Sequence, residues 1–156
     1  MEPQYVSSTL SFLKAMGITK PVPQNCNTYD FYSDILRNCL KVDHIQRGQI
    51  TCTFTVKPPL EFFKSLHGGA LAAVVELVSV DCARTVVVED KEIFLGEISL
   101  ACLSGAMQNT ELQVNGLVVK SGRNVTVVLL EFKQKKTGKL TYTARASFYN
   151  LPVSRL

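Results

Sequence analysis

One stretch constrains this chain more than any other. Residues 68 to about 88 read as a single helix carrying Ala70, Leu71, Ala72, Ala73, Val74, Val75, Leu77, Val78 and Val80, apolar nearly all round. A helix of that pattern is buried on most of its sides. At 1.5 Å per residue, some twenty residues run roughly 30 Å, the width of a small domain. The rest of the chain has to supply the cover.

The flanking segments have the period of strands. Residues 49–56 alternate Ile50, Cys52, Phe54 and Val56 with Thr51, Thr53 and Thr55, the signature of a half-buried antiparallel strand. A partner strand at 40–46 precedes it across an Arg47-Gly48 turn, and Pro58-Pro59 ends it. After the helix, strands are predicted over 93–103, 111–120, 124–134 and 139–150, separated by Ser104-Gly105, Ser121-Gly122 and Lys136-Thr137-Gly138. The fold class is therefore α+β, an antiparallel sheet of about six strands wrapped around one long central helix. Such a sheet leaves an edge strand. Pairing edges between two subunits protects it, so at least a dimer is expected. Short helices at 7–17, capped by Ser7 or Ser8 and stopped by Gly17, and at 28–38 are predicted on either side of the proline-rich loop 21–27. They make 1–34 an N-terminal helical extension and 35–156 the main domain.

Composition narrows the function classes. A hydrophobic share of 46% with 19% charged residues excludes disorder for the bulk of the 156 residues. Seventeen Lys plus Arg against thirteen Asp plus Glu give a net charge of +4, and the longest basic run is Lys133-Gln134-Lys135-Lys136. That is too weak a footprint for a nucleic-acid binder. The uncharged stretch through the apolar centre, 65–75, is too short to cross a bilayer, so no membrane insertion is expected. No basic segment followed by an apolar run opens the chain, and no secretory leader is expected. Five cysteines without a Cys-x-x-Cys, and only two histidines, do not assemble a zinc site. No metal is expected, and the cysteines read as reduced thiols of an intracellular protein.

The informative constellation is Ser65-Leu66-His67-Gly68-Gly69-Ala70 running into the helix, with Glu76 inside it. Two glycines at a helix entrance either make a tight turn or let a ligand approach the backbone. The first N–H groups of a helix have no internal acceptor and carry the positive end of its dipole, so they suit a carbonyl or phosphate oxygen. Glu76 is the one charged residue between Lys64 and Asp81. It serves either as a general base, if desolvation raises its pKa, or as a charge on a wetter face paired with Arg84 or another subunit's cation. His67 either caps and orients the helix start or binds ligand as a base. His44, inside a strand, reads as structural.

Leu66-His67-Gly68-Gly69, a small-residue helix and an acid nine positions after the histidine resemble the PaaI-type acyl-CoA thioesterases of the hotdog fold. Glu97-Ile98-Ser99-Leu100 with Leu103-Ser104, Lys120-Ser121-Gly122-Arg123, and Thr137-Gly138-Lys139-Leu140 with Ala144-Arg145 extend the similarity over roughly residues 35–150. The resemblance implies hydrolysis of an acyl-CoA thioester at a homodimer interface, within a homotetramer. By that similarity the Gly68 N–H polarises the thioester carbonyl, with His67 beside it. Glu76 from the opposite subunit either activates water or attacks the carbonyl itself. Lys120, Ser121, Gly122, Arg123 and Asn124 fall where the family contacts coenzyme A, and turn N–H groups and cations there suit its phosphates. Coenzyme A enters as part of the substrate, with no separate cofactor. Phe62, Phe63, Leu95 and Met107 are candidates for the acyl pocket.

Two positions depart from the family pattern. Where relatives carry Asn or Gln six residues before the histidine, this chain has Glu61, which either repels Glu76, shares a proton with it, or is turned away by the shift of Phe62, Phe63 and Lys64. Where relatives carry Ser or Thr on the strand after the helix, it has Leu95 or Gly96. These departures keep a non-catalytic acyl-CoA-binding hotdog protein as an alternative, with a hotdog dehydratase as another. The terminal Ser154-Arg155-Leu156 is close to Ser-Lys-Leu, the peroxisomal address. On an acyl-CoA thioesterase it makes the peroxisome the expected location, with the cytoplasm as the alternative.

Overall fold

A computed structural model describes residues 3–153; the Ser154-Arg155-Leu156 tail lies outside the described residues. The chain falls into two compact units, divided between Tyr32 and Ser33. In the first, helix α1 (Gln4–Ala15) starts a turn earlier than the serines suggest, because Pro3 at its N-cap is already set for helix entry. Ser7 sits inside the helix, where its hydroxyl donates to the Gln4 carbonyl at 2.9 Å. The C-terminus closes as a Schellman motif. Gly17 adopts φ +86°, its N–H donates to the Lys14 carbonyl, and the Ile18 N–H donates to the Leu13 carbonyl.

Helix α2 (Phe31–Arg37) leads into the second unit and buries Leu36. Strands β1 (Leu40–Gln46) and β2 (Gln49–Thr55) follow, then a two-residue ribbon of β3 (Glu61–Phe62) and β4 (Ser65–Leu66). Next come helix α3 (Gly68–Arg84) and strands β5 (Lys91–Cys102), β6 (Glu111–Ser121), β7 (Val125–Gln134) and β8 (Leu140–Pro152). The six long strands form one sheet in the order β1-β2-β6-β7-β8-β5. Every pairing in it is antiparallel. Among the described residues, no helix is long and apolar enough to cross a membrane.

Strand parity sets the core. Opposed pairs such as Cys52 with Val114, Val114 with Phe132 and Leu130 with Ala144 all point to the α3 side and are buried, as period-two alternation requires. Against them α3 lays one stripe: Ala70, Leu71, Val74, Val75, Val78, Ser79, Cys82 and Ala83. Only that stripe is covered by the helix's own sheet. Ala72, Ala73, Leu77 and Val80 are half-buried and Glu76 is exposed, so the all-round apolar pattern is only partly accounted for within one protomer. The helix also ends at Arg84, short of 88. The Thr85 hydroxyl donates to the Cys82 carbonyl at 2.7 Å and accepts the Gly48 N–H at 2.8 Å, and the β-branched Val86-Val87-Val88 that follows disfavours a further turn.

Helix α3 packs against β6 at Gly116. A Cβ there would stand 2.9 Å from Ile50 Cγ2 and 3.5 Å from Cys82 Sγ. The strand needs glycine because the Ile50 side chain of β2 occupies the space, with Cys82 of the helix in ordinary van der Waals contact beside it. Cys52 and Cys82, buried at this contact, have thiols pushed up to about 11, chiefly by burial and further by the negative charge of Asp81. All five cysteines are free, with Cys39 buried as well and Cys102 exposed.

Two outcomes follow from this contact. Gly116→Ala is expected to destabilise the protein by about 1–3 kcal/mol through overpacking, lowering the thermal midpoint by roughly 3–10 °C; an unchanged melting curve would refute the packing constraint. With a thiol reagent at pH 8, Cys102 is expected to label readily, whereas Cys52 and Cys82, only about one part in a thousand ionised at that pH, label after denaturation. Rapid native labelling of Cys82 would show that α3 leaves the sheet in the folded protein.

Candidate active site

The entrance of α3 is built by the β3–β4 ribbon, which the strand patterns do not announce. Phe63 and Lys64 turn it with φ of 50° and 63°, a left-handed pair that lets Glu61 face Leu66 across two residues. The ribbon is pinned on both sides. The Leu66 N–H donates to the Ala106 carbonyl at 2.9 Å, and the His67 N–H to the Leu60 carbonyl at 2.8 Å. Ala106 is itself fixed, its N–H donating to the Tyr142 hydroxyl at 2.9 Å.

His67 is the N-cap of α3. Its Nδ1 accepts the Gly69 N–H at 2.8 Å, so the imidazole is neutral in this role and carries its proton on Nε2. Phe62 holds the ring edge-on at a centroid distance of 5.3 Å. Gly69 is a glycine for this cap, since a Cβ would fall 3.0 Å from His67 Nδ1. The capping reading of His67 is the geometry observed, and only Nε2 remains available to a ligand.

Gly68 is different. A Cβ there would meet nothing within 4 Å, so no packing within the protomer demands glycine. Its N–H donates to no group among the described residues. It is an exposed, unpartnered donor at the positive end of a seventeen-residue helix, which suits a developing oxyanion.

Glu76 lies eight residues further along α3, about 12 Å down the axis, and is exposed. The protomer does not enclose its carboxylate. Nor does it pair with Arg84, whose guanidinium donates to the Lys91 carbonyl at 2.8 Å. The separation exceeds the reach of one glutamate side chain. A carbonyl held at Gly68 is therefore beyond direct attack by Glu76 of the same helix. Asp81, nearer the Cys52 and Cys82 contact, is held above the usual carboxylate range by desolvation.

Glu61 Oε1 is buried without a hydrogen-bond partner, beside the His67 loop. Around the same entrance stand Phe62 and Met107, the latter bridging to Ser65; Phe63 is largely solvent-exposed. Leu95 lies on β5 opposite Phe148, next to a bulge at Gly96. A Cβ on Gly96 would come 2.7 Å from Tyr149 Cε2. The ring of Tyr149 thus occupies the space that a serine or threonine would need there.

The 120–124 segment is placed at the opposite end of the unit. Arg84, at the C-terminus of α3, binds Lys91, and Lys91 Nζ donates to the Arg123 carbonyl at 2.6 Å. Lys120, Ser121, Gly122, Arg123 and Asn124 are all exposed. One protomer therefore brings together Glu61, Phe62, His67, Gly68 and Met107, but not Glu76, Leu95 or the 120–124 turn. The support behind that turn, Asn150 and Thr126, is absent from the motif reading. Parity was the available signal, since Asn150 continues the inward series Tyr142, Ala144, Ala146 and Phe148. Among the described residues, no group of three or more His, Cys, Asp or Glu side chains is placed to hold a metal ion.

The same arrangement recurs in other proteins. The solved structure of zebrafish thioesterase superfamily member 2 superposes with a TM-score of 0.70 at 19% identity, covering 80% of this chain and 88% of that one. A Haemophilus influenzae thioesterase gives 0.71 at 18% identity, over 85% and 89%. A hypothetical thioesterase protein from Streptococcus pneumoniae, solved with coenzyme A, gives 0.69 at 17% identity, over 79% and 95%. No curated protein sequence matches the chain. At these identities the structures establish the hotdog fold. The family itself follows from the thioesterase superfamily model, which matches residues 63–141, from the ribbon turn through α3 to the start of β8. With just over half of its length so matched, this chain belongs to the thioesterase superfamily.

Proposed function

We propose that the protein hydrolyses an acyl-CoA thioester to the free acid and coenzyme A in a site shared between two protomers. The observation that carries this reading is the exposed, unpartnered Gly68 N–H at the α3 entrance, with Glu76 on the same helix too far away to serve the same carbonyl. A second protomer resolves the distance. Strand β5 is a sheet edge of twelve residues, and exposed backbone edges of that length favour pairing. A two-fold axis through β5 pairs it antiparallel with its copy. The Lys91 end of one β5 then lies beside the Cys102 end of the other. That brings the partner's 120–124 turn toward the Gly68 entrance, and the middle of the partner's α3, with Glu76, toward the same place. The half-buried Ala73, Leu77 and Val80 gain cover in the same step.

In this site the Gly68 N–H polarises the thioester carbonyl and stabilises the tetrahedral oxyanion. The partner's Glu76 takes a proton from the water as its oxygen bonds to the carbonyl carbon. Collapse of the tetrahedral intermediate breaks the C–S bond, and Glu76 returns the proton to the departing thiolate, giving the free acid and coenzyme A. His67 holds the helix start in place. The nucleotide phosphates lie against Lys120 and Arg123 of the partner's turn. The coenzyme A in the Streptococcus pneumoniae structure supports this substrate class. The opposite face of the sheet carries exposed Leu117 and Leu129 beside Glu131 and Arg145, in a depression of about 820 Å³. A second dimer on this face would give a tetramer, with the two opposite charges made self-complementary by the two-fold axis.

Thiol release from a panel of acyl-CoAs tests the activity. Glu76→Gln is expected to lower kcat by at least about 100-fold. Gly68→Pro removes the N–H at the first helical position, where proline is tolerated. His67 already has the extended φ −64°, ψ 131° that a following proline requires. It is expected to cost roughly 100- to 1,000-fold in kcat with an unchanged melting temperature. Co-expression of the two variants restores about one quarter of wild-type activity. Half of randomly assorted dimers are mixed, and each mixed dimer holds one intact site. No recovery on mixing would rule out the shared site, and full activity of Glu76→Gln would rule out its role.

A further inference from the structure

The polar groups behind the β6–β7 turn are unusually well ordered for a solvent-exposed hairpin, and the proposed reaction has not used them. Asn150 is only 3% exposed. Its backbone N–H donates to the Asn124 carbonyl at 2.9 Å. Its side-chain Nδ2 donates to the Gly122 carbonyl at 3.1 Å and lies 3.0 Å from the Thr126 hydroxyl. Between these two, the Arg123 carbonyl accepts from Lys91 Nζ at 2.6 Å. Three successive carbonyls of one turn are thus drawn back into the unit by donors from β8 and β5. Carbonyl oxygens are the negative ends of the peptide dipoles. The Gly122 N–H is taken by the Val125 carbonyl at 2.8 Å. The Arg123 and Asn124 N–H groups, however, share planar peptides with the inward Gly122 and Arg123 carbonyls and so face outward. They stand beside the cations of Lys120 and Arg123, which are exposed and form no ion pair among the described residues.

We propose that Asn150 and Lys91 are positioning residues that fix the polarity of the 120–124 turn so that it presents donors and positive charge to the phosphates of the coenzyme A portion of the substrate. The inference rests on the acyl-CoA reading above. Neither residue touches the substrate. Asn150 does what an aspartate or a hydrophobic residue does not, because only its amide donates to a carbonyl while its oxygen is matched to the Thr126 hydroxyl at 3.2 Å. Released from these donors, the Gly122 and Arg123 peptides are free to turn their oxygens outward, where they oppose an anion.

The experiment compares Asn150→Ala and Lys91→Met with the wild type on two substrates: an acyl-CoA, and the same acyl group on N-acetylcysteamine, which carries the thioester without any phosphate. Both variants are expected to raise KM for the acyl-CoA about tenfold, the equivalent of one lost interaction. Expected kcat on the acyl-CoA, and kcat/KM on the truncated thioester, stay within about twofold of wild type. An equal loss on both substrates, or an unchanged KM for the acyl-CoA, overturns the inference. Lys91→Met keeps the test open if Asn150→Ala does not fold. Calorimetric titration with coenzyme A alone separates the two readings. Wild-type binding that weakens in the variants supports the positioning role even where no thioester is hydrolysed, a result that would sink only the hydrolase reading. Equal binding by wild type and variants, or none by the wild type, overturns the positioning role itself.

Discussion

Everything in the main unit depends on how closely α3 seats against its sheet. At Gly116 the missing side chain makes room for Ile50 of the next strand, and Cys82 of the helix lies in van der Waals contact beside it. A helix held at that distance buries one continuous stripe from Ala70 to Ala83. It also delivers its first turn to the β3–β4 ribbon, where His67 caps it. The site is therefore a consequence of core packing. The space beside Gly68 is open, and the His67 cap holds the first turn of the helix in place.

The six-stranded sheet and its central helix are legible in the sequence because both are periodic. The Ile50-Cys52-Phe54 alternation and the apolar run after Gly69 each state which face is buried. The β3–β4 ribbon is hidden because it has only two residues per strand and turns on Phe63 and Lys64 in left-handed conformations, which their residue types do not signal. The helix end at Arg84 is hidden for another reason. It is decided by the hydroxyl of Thr85, which bonds both within the helix and to Gly48, a residue thirty-seven positions away. At the site, the entrance motif is readable as residue types, whereas its division of labour is not. Gly68 and Gly69 look equivalent in sequence. One is required by the His67 ring and the other by nothing in the protomer.

That difference bears on the two departures from the family pattern, at Glu61 and at Leu95 or Gly96. At Gly96 the ring of Tyr149 fills the space that a side chain would need, so no room remains there for a polar helper. At Glu61 a carboxylate oxygen is buried without a partner. A buried acceptor in that condition is costly unless a donor arrives, and in the proposed dimer the entrance beside it is where the substrate and the second protomer come in. The two departures are thus unlike. One closes a position and the other leaves an acceptor waiting for a group supplied from outside the protomer.

The distribution of unused capacity argues the same way. Among the described residues, the protomer leaves unpaired the N–H of Gly68, the carboxyl oxygen of Glu61 and the carboxylate of Glu76, and leaves uncovered the twelve-residue edge of β5 and the outer side of an apolar helix. Gly68 and Glu61 lie at one end of the unit, the 120–124 turn at the other, and Glu76 about 12 Å down the helix from Gly68. In the proposed dimer, an antiparallel two-fold at β5 joins these groups in one operation, because it exchanges the two ends. The donor end of one α3 would then face the acid and the cationic turn of the other. A sheet edge that would otherwise invite uncontrolled pairing would become the element that defines the distance between the two halves of the site.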